Sequence, residues 1–247
     1  MSLRRVPAVV LCGGEGTRLR SVVADRQKTM AEANGKPFLE ILLDWAAGQG
    51  VVRFVLCTGY KSDQVESYFR ERRPDLDVAY SNEPSPLGTG GALHNALPLT
   101  DGGPVLVLNG DSICPLDLSS FAAYHARSGG AASLAVVDPG VRRDGGFIDL
   151  DPSGRILSFD ERDYRAGRAL NAGVYLFERA ALAAIPPGRS SLEKDVLPSL
   201  VERRVYARLV REPLYDIGTP DRWRDFQAAL AAGQVFAPLS ARHVLEN

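Results

Sequence analysis

VPAVVLCGGEGTRL, residues 6–19, carries an apolar run straight into a loop with three glycines in four positions and then an arginine. An apolar run without polar alternation reads as a strand covered on both faces, which is the mark of a parallel sheet in an α/β fold. The glycine-rich turn after it exposes backbone N–H groups at the carboxyl edge of that sheet, where such folds bind ligands and amides can cradle phosphate. Two familiar loops are excluded. Leu19 stands where G-x-G-x-x-G needs its third glycine, and there is no G-x-x-x-x-G-K-[ST]. Arg18 instead supplies a fixed fork of donors suited to phosphate oxygens, and Lys28, ten residues on, offers a second positive charge. The loop reads as a polyphosphate site, with a tight structural turn as the alternative.

Outward from this loop, helices and strands take turns. PFLEILLDWAAGQG (37–50) has helical spacing with Pro37 to start it and glycines at 48 and 50 to stop it; VRFVLC (52–57) is a strand. SDQVESYFRERR (62–73) is a helix capped by Ser62 or Asp63, followed by the strand DVAYS, a helix from about Gly90 to Ala96, and the strand PVLVL (104–108). FAAYHARSG and ASLAVV add one more helix–strand pair to the parallel sheet. Past residue 145, GGFIDL and RILSF flank the turn DPSG as a β-hairpin, and GVYLF and VYARLV are strands. SLEKDVLPSLVERR is a helix with Ser190 and Glu193 at capping-box spacing, and TPDRWRDFQAALAAG is a helix capped by Thr219. The expectation is a Rossmann-like α/β fold: a mixed, mostly parallel central sheet, helices on both faces, and an antiparallel insertion. One domain spans 1–235, with a nucleotide-binding half to about 137, a second half from about 138, and a tail over 236–247.

Two acidic residues sharpen the site. Asp111 ends the strand VLVLNGD beside the glycine loop, and Asp216 in LYDIGTP precedes a capped helix. Two carboxylates meeting at a phosphate site suit Mg²⁺, which takes a few protein oxygens and keeps the rest of its shell for phosphate and water. Each alone also reads as a turn or helix-start residue. The 247 residues are 45% hydrophobic with a net charge of −1 and no basic stripe, which argues against a nucleic-acid or anionic membrane surface. No apolar stretch approaches the roughly 20 residues of a membrane span, and MSLRRVPAVV lacks a secretory signal's apolar core, so the expected place is the cytoplasm. Cys12, Cys57 and Cys114 read as reduced thiols, and His94, His125 and His243 share no ligand spacing.

GGEGTRL (13–19), QKTM (27–30), NGKPFLE (34–40), LGTGGAL (87–93), VLNGD (107–111), NAGVYLF (171–177) and YDIGTPDRW (215–223) resemble, in order and spacing, the sugar-nucleotidyltransferases, or NDP-sugar pyrophosphorylases. Within them, RLRSVVADRQKTMAEANGKPF, EPSPLGTGGAL and SLEKDVLP look most like the D-glycero-α-D-manno-heptose 1-phosphate guanylyltransferases of bacterial capsule and surface-glycan pathways. The resemblance implies joining of a sugar 1-phosphate to a nucleoside triphosphate, GTP in that branch, with release of pyrophosphate. Its near alternatives are mannose 1-phosphate guanylyl transfer and other NDP-sugar pyrophosphorylases, and its alternative of another class is a non-catalytic nucleotide sensor. A sugar phosphate with its second pKa near 6 is largely dianionic at pH 7, so the nucleophile needs no side-chain base. Catalysis then consists of positioning and charge neutralisation.

Carried over, Leu11, Gly13, Gly14, Gly16 and Thr17 would admit the nucleotide, and Arg18 would hold the phosphates that leave. Lys28 would neutralise charge at the α-phosphate, while Asp111 and Asp216 would hold Mg²⁺. Gly88, Thr89 and Gly90 would face base and ribose. Asn109, Gly146, Glu161, Arg162, Asn171 and Lys194 would line the sugar. Two positions depart from the pattern: Gln27 stands where the family commonly has proline, and Arg162 where it has lysine. A homodimer is left open, with no segment to identify its interface.

Overall fold

The structure is a computed structural model that describes residues 1–19, 22–23, 25–160 and 164–237, excepting the side chain of Thr17. In chain order, β1 (Ala8–Leu11) leads through a small hairpin of β2 (Glu32–Ala33) and β3 (Lys36–Pro37) to α1 (Phe38–Gly48), β4 (Arg53–Thr58), α2 (Ser62–Arg72) and β5 (Asp77–Asn82). Then come α3 (Gly88–Ala96), β6 (Val105–Asn109), β7 (Ser112–Ile113), α4 (Leu118–Ser128) and β8 (Ala132–Val137). The second half holds β9 (Phe147–Leu150), β10 (Ile156–Asp160), β11 (Ala169–Phe177), α5 (Arg179–Ala183), α6 (Leu197–Leu200), β12 (Val205–Leu209), β13 (Tyr215–Asp216) and α7 (Pro220–Ala231).

The apolar run of β1 has the cause expected of it. Successive strand side chains point to opposite faces, so Ala8 and Val10 enter one core while Val9 enters another. The first core lies under α1, α2, α4 and α7, where Phe38 meets Phe226 edge-on at 4.8 Å. The second lies under α3, α5 and α6. With both faces covered, no position on the strand is free to be polar.

Strands β6, β1, β4 and β5 run parallel in that order. The pair α4–β8 does not extend this parallel run. β11 enters antiparallel beside β6, and β8 pairs antiparallel with the other edge of β11 and parallel with β12. β9 and β10 form the expected hairpin but join the same sheet through β11. The insertion therefore continues the central sheet. Gly173 makes the junction possible: its φ is +72° and a Cβ there would lie 2.7 Å from Ser112 Oγ, a conformation and a space that suit glycine.

Two caps differ from expectation. α2 is preceded by Lys61 in the left-handed region (φ +53°), with neither Ser62 nor Asp63 at the cap position. The run SLEKDVLPSLVERR is capped by Ser191, whose Oγ accepts Lys194 N–H at 3.1 Å, rather than by Ser190. It divides into a wide π-type turn (Leu192–Val196), α6 and a 3₁₀ turn (Val201–Arg203). Pro198 is the cause: lacking an N–H, it cannot donate back into the preceding turn and its ring crowds the carbonyl there, and Leu197 N–H reaches Leu192 O instead.

Candidate active site

A cleft of about 1240 Å³ opens where the parallel strands end. Its floor is the loop after β1. Gly16 has φ +59°, and a Cβ on it would lie 2.5 Å from Cβ of Lys28, so the glycine lets Lys28 run beneath the loop. Lys28 is only 12% exposed, and its Nζ donates to Asp111 Oδ2 at 2.6 Å. Gln27, in the place where the family commonly has proline, anchors the turn that carries Lys28. Its Oε1 accepts Thr29 N–H at 2.6 Å, its Nε2 donates to Cys12 O, and its own N–H donates to Gln64 Oε1 at 2.8 Å. A proline could not make that last bond. Burial pushes the Cys12 thiol up to about 12, so this cysteine stays protonated beside the loop.

The backbones of Asp111 and Asp216 are brought side by side. β7 and β13 pair antiparallel, Ser112 facing Asp216, and Ile217 N–H donates to Asp111 O at 3.0 Å. Both residues line the cleft. Each is already paired with cations: Asp111 with Lys28, Asp216 with Arg142 at 2.5 Å and Arg222 at 3.3 Å. Among the described residues no three side chains form a metal cluster. Two hard carboxylates without a third ligand fit Mg²⁺ that brings phosphate and water as the rest of its shell, and do not fit a metal caged by protein alone.

The other expected residues divide. Leu11, Gly13, Gly14, Gly16, Arg18, Gly88, Thr89, Asn109, Gly146 and Asn171 line the cleft, with Arg18 70% exposed at its rim. Asn109 brings a buried Oδ1 that has no hydrogen-bond partner among the described residues. Asn171 is more committed: its Nδ2 donates to Tyr175 Oη at 2.7 Å and its Oδ1 accepts Gly173 N–H at 3.1 Å. Gly90 is buried within α3, where a Cβ would lie 2.6 Å from Ser190 Oγ, so it serves close packing and does not line the cleft. Lys194 is exposed and outside the cleft lining, while its neighbour Glu193 lines it and accepts Thr89 Oγ1–H at 2.8 Å. Thr17 opens a short 3₁₀ turn; Glu161 and Arg162 lie outside the described residues.

Among the charged residues of the cleft that sequence reasoning missed are Glu83, Arg142, Asp144 and Arg222. Glu83 Oε2 accepts Leu87 N–H at 2.7 Å, and burial holds its carboxyl above the ordinary carboxylate value. Arg222 donates to Asp144 and, with Arg142 beside it, holds that carboxyl below the ordinary value. Each sits in a loop or helix start, with no spacing to mark it. The EPSP stretch before LGTGGAL was the one available signal, for Glu83.

The chain matches the family model described as nucleotidyl transferase over residues 7–233. It is 34% identical to the D-glycero-alpha-D-manno-heptose 1-phosphate guanylyltransferase of Aneurinibacillus thermoaerophilus, over 90% of this chain and 97% of that protein. It is 32% identical to the mannose-1-phosphate guanylyltransferase of Mycobacterium tuberculosis, over 98% of this chain and 69% of that protein. Among solved structures, HddC from Yersinia pseudotuberculosis complexed with GMP-PN superposes with a TM-score of 0.81 at 30% identity, covering 91% of this chain and 99% of that one. A fold matched over 91% of the chain and a relative 34% identical over nearly its whole length agree with the seven segments quoted above: this chain belongs to the nucleotidyl transferase family.

Proposed function

We propose that this protein transfers a guanylyl group from GTP to a sugar 1-phosphate, releasing pyrophosphate, with D-glycero-α-D-manno-heptose 1-phosphate as the sugar substrate. The observation that carries the chemistry is the convergence of the glycine loop, Arg18, Lys28, Asp111 and Asp216 on one cleft. In this reading the loop amides and Arg18 hold the leaving phosphates, and Lys28, fixed by Asp111, presents its ammonium where the α-phosphate and the incoming dianion must approach. Asp111 and Asp216 would hold Mg²⁺, which would supply neutralising charge at the α-phosphate. Asn109, which lines the cleft, faces the sugar.

Glu83 supports the choice of guanine. Its partly buried carboxylate lies in the cleft wall beside Gly13, which a Cβ would bring to 3.3 Å from Oε1. Guanine offers two adjacent donors, N1–H and the 2-amino group, to a carboxylate; uracil and adenine each offer one. The branch of relatives favours heptose, and the M. tuberculosis relative makes mannose 1-phosphate the second reading. The product would feed capsule or surface-glycan assembly from the cytoplasm. No helix among the described residues is long and apolar enough to cross a membrane.

The test is pyrophosphate release from a matrix of GTP, UTP, dTTP, CTP and ATP against heptose, mannose, glucose and N-acetylglucosamine 1-phosphates, with Mg²⁺ and an EDTA control. Release confined to GTP with the manno-configured heptose phosphate is the expected result. Release with another pair keeps the reaction and changes the substrate. No release from folded protein that still binds a nucleotide would sink the catalytic reading in favour of a sensor.

A further inference from the structure

Asp216 is held on both sides. Arg142 Nη2 lies 2.5 Å from Oδ2 and Arg222 Nη1 3.3 Å from Oδ1, around a carboxylate side chain only 12% exposed. Arg142 is placed there by a built loop. Its N–H donates to Pro139 O at 2.8 Å, the next guanidinium, Arg143, stacks 3.9 Å from the Tyr164 ring centre, and Asp144 is gripped by Arg222. Arg142 keeps a buried Nε–H that makes no hydrogen bond among the described residues, and it lines the same cleft as Lys28.

Asp216 Oδ1 already accepts Gly218 N–H at 2.8 Å and faces Arg222, so a cation taken by Asp216, as the proposed function requires, competes with the Arg142 guanidinium for Oδ2. The released arginine then stands in a cleft that must receive a dianionic phosphate. We infer that Arg142 is a phosphate-binding residue for the sugar 1-phosphate, held by Asp216 until that carboxylate turns to the cation and then passed to the incoming phosphate. Its place selects the sugar side. Arg142 sits four residues before Gly146, whose carbonyl accepts Asn171 N–H at 2.9 Å, whereas the proposed function gives the leaving phosphates to Arg18. A guanidinium fork matches two phosphate oxygens.

The inference rests on the guanylyltransferase reading, so its test has two arms. In steady-state assays of Arg142→Gln, KM for the sugar 1-phosphate rises about tenfold or more while KM for GTP stays within about twofold, the size expected for loss of a charge-assisted fork. In the second arm, binding of Mn²⁺ is followed by EPR of the free ion with α,β-methylene-GTP present. Arg142→Gln binds Mn²⁺ several-fold more tightly, because Asp216 no longer has to release a cation. Arg142→Lys, which keeps the charge without the fork, falls between wild type and Arg142→Gln in both arms and serves alone if Arg142→Gln does not fold. An unchanged sugar-phosphate KM, or weaker Mn²⁺ binding, overturns the inference. Absence of turnover by the wild-type protein overturns the guanylyltransferase reading and with it the destination of Arg142, while the Mn²⁺ arm still reads the exchange at Asp216.

Discussion

Lys28 owes its position to a residue with no side chain. Gly16→Ala would place a methyl group 2.5 Å from Cβ of Lys28 at a φ of +59°. The left-handed backbone alone costs about 1 kcal/mol, which a domain of this size tolerates, so the larger effect falls on Lys28. Turnover of Gly16→Ala drops by about 100-fold or more, in line with misplacing a positioned group by an ångström, while thermal unfolding shifts by only a few degrees. Full activity in a folded variant would show that Lys28 does not need this path. Glu83→Gln tests the base reading, because an amide replaces one of two acceptors with a donor. It lowers kcat/KM for GTP by about 10- to 100-fold, the discrimination a bidentate pair to a base supplies, and narrows the preference for GTP over UTP. Equal losses for all nucleotides would assign Glu83 to the loop through its bond to Leu87. Part of the cleft was legible because the glycines and Arg18 stand in one loop directly after an apolar strand, and Asp111 closely follows a second such strand. Glu83, Arg142 and Asp144 were not, since each acquires its meaning from a partner met across the cleft.

Elements were legible where their ends carry their own chemistry. α7 begins with Thr219 and Pro220, and Thr219 Oγ1 accepts Arg222 N–H, as its sequence announces. α2 begins instead at a left-handed lysine, and the Leu192–Arg203 stretch, packed against α3 at its start, breaks into three short turns because Pro198 cannot donate back into the preceding turn. The cap of α7 also reaches the site. Its bonded partner, Arg222, is the residue whose guanidinium holds Asp216 and Asp144. Thr219→Ala removes a cap bond that is long, 3.4 Å, so the loss sits at the lower end of the usual range, about 0.5–1 kcal/mol. Melting then falls by roughly 1–4 °C, and Mg²⁺ half-saturation in the assay shifts with it, because Arg222 is less firmly held. A melting change with no movement in the Mg²⁺ dependence would confine the cap to stability.

At the scale of the molecule, the parallel direction of β6, β1, β4 and β5 followed from apolar runs separated by helices, but their order and the entry of β11 between β6 and β8 did not. Its side chains are buried nearly throughout, and an apolar run covered on both faces does not state its direction. The strand β8 behind it carries Ser133, which meets a buried histidine of α4: His125 Nδ1 lies 2.9 Å from Ser133 Oγ, and Nε2 lies 3.4 Å from Glu178. Burial lowers the His125 pKa below its ordinary value, and the Glu178 charge, itself half exposed, offsets part of that. The unfolded chain therefore binds a proton that the folded chain resists, so stability is full above about pH 6.5 and is lost as pH falls through that value toward the folded pKa. The lowered carboxyls of Asp144 and Asp149 act only below their ordinary value of 3.8, outside this window. The raised carboxyl of Glu83 acts above 4.5 with the opposite sign, since its folded form holds the proton more tightly. Denaturant unfolding at pH 7.5, 6.5 and 5.5 should show the wild-type stability declining across the last interval. His125→Gln should flatten that decline while keeping a hydrogen-bonding group beside Ser133, and an equal decline in both proteins would remove His125 as its source.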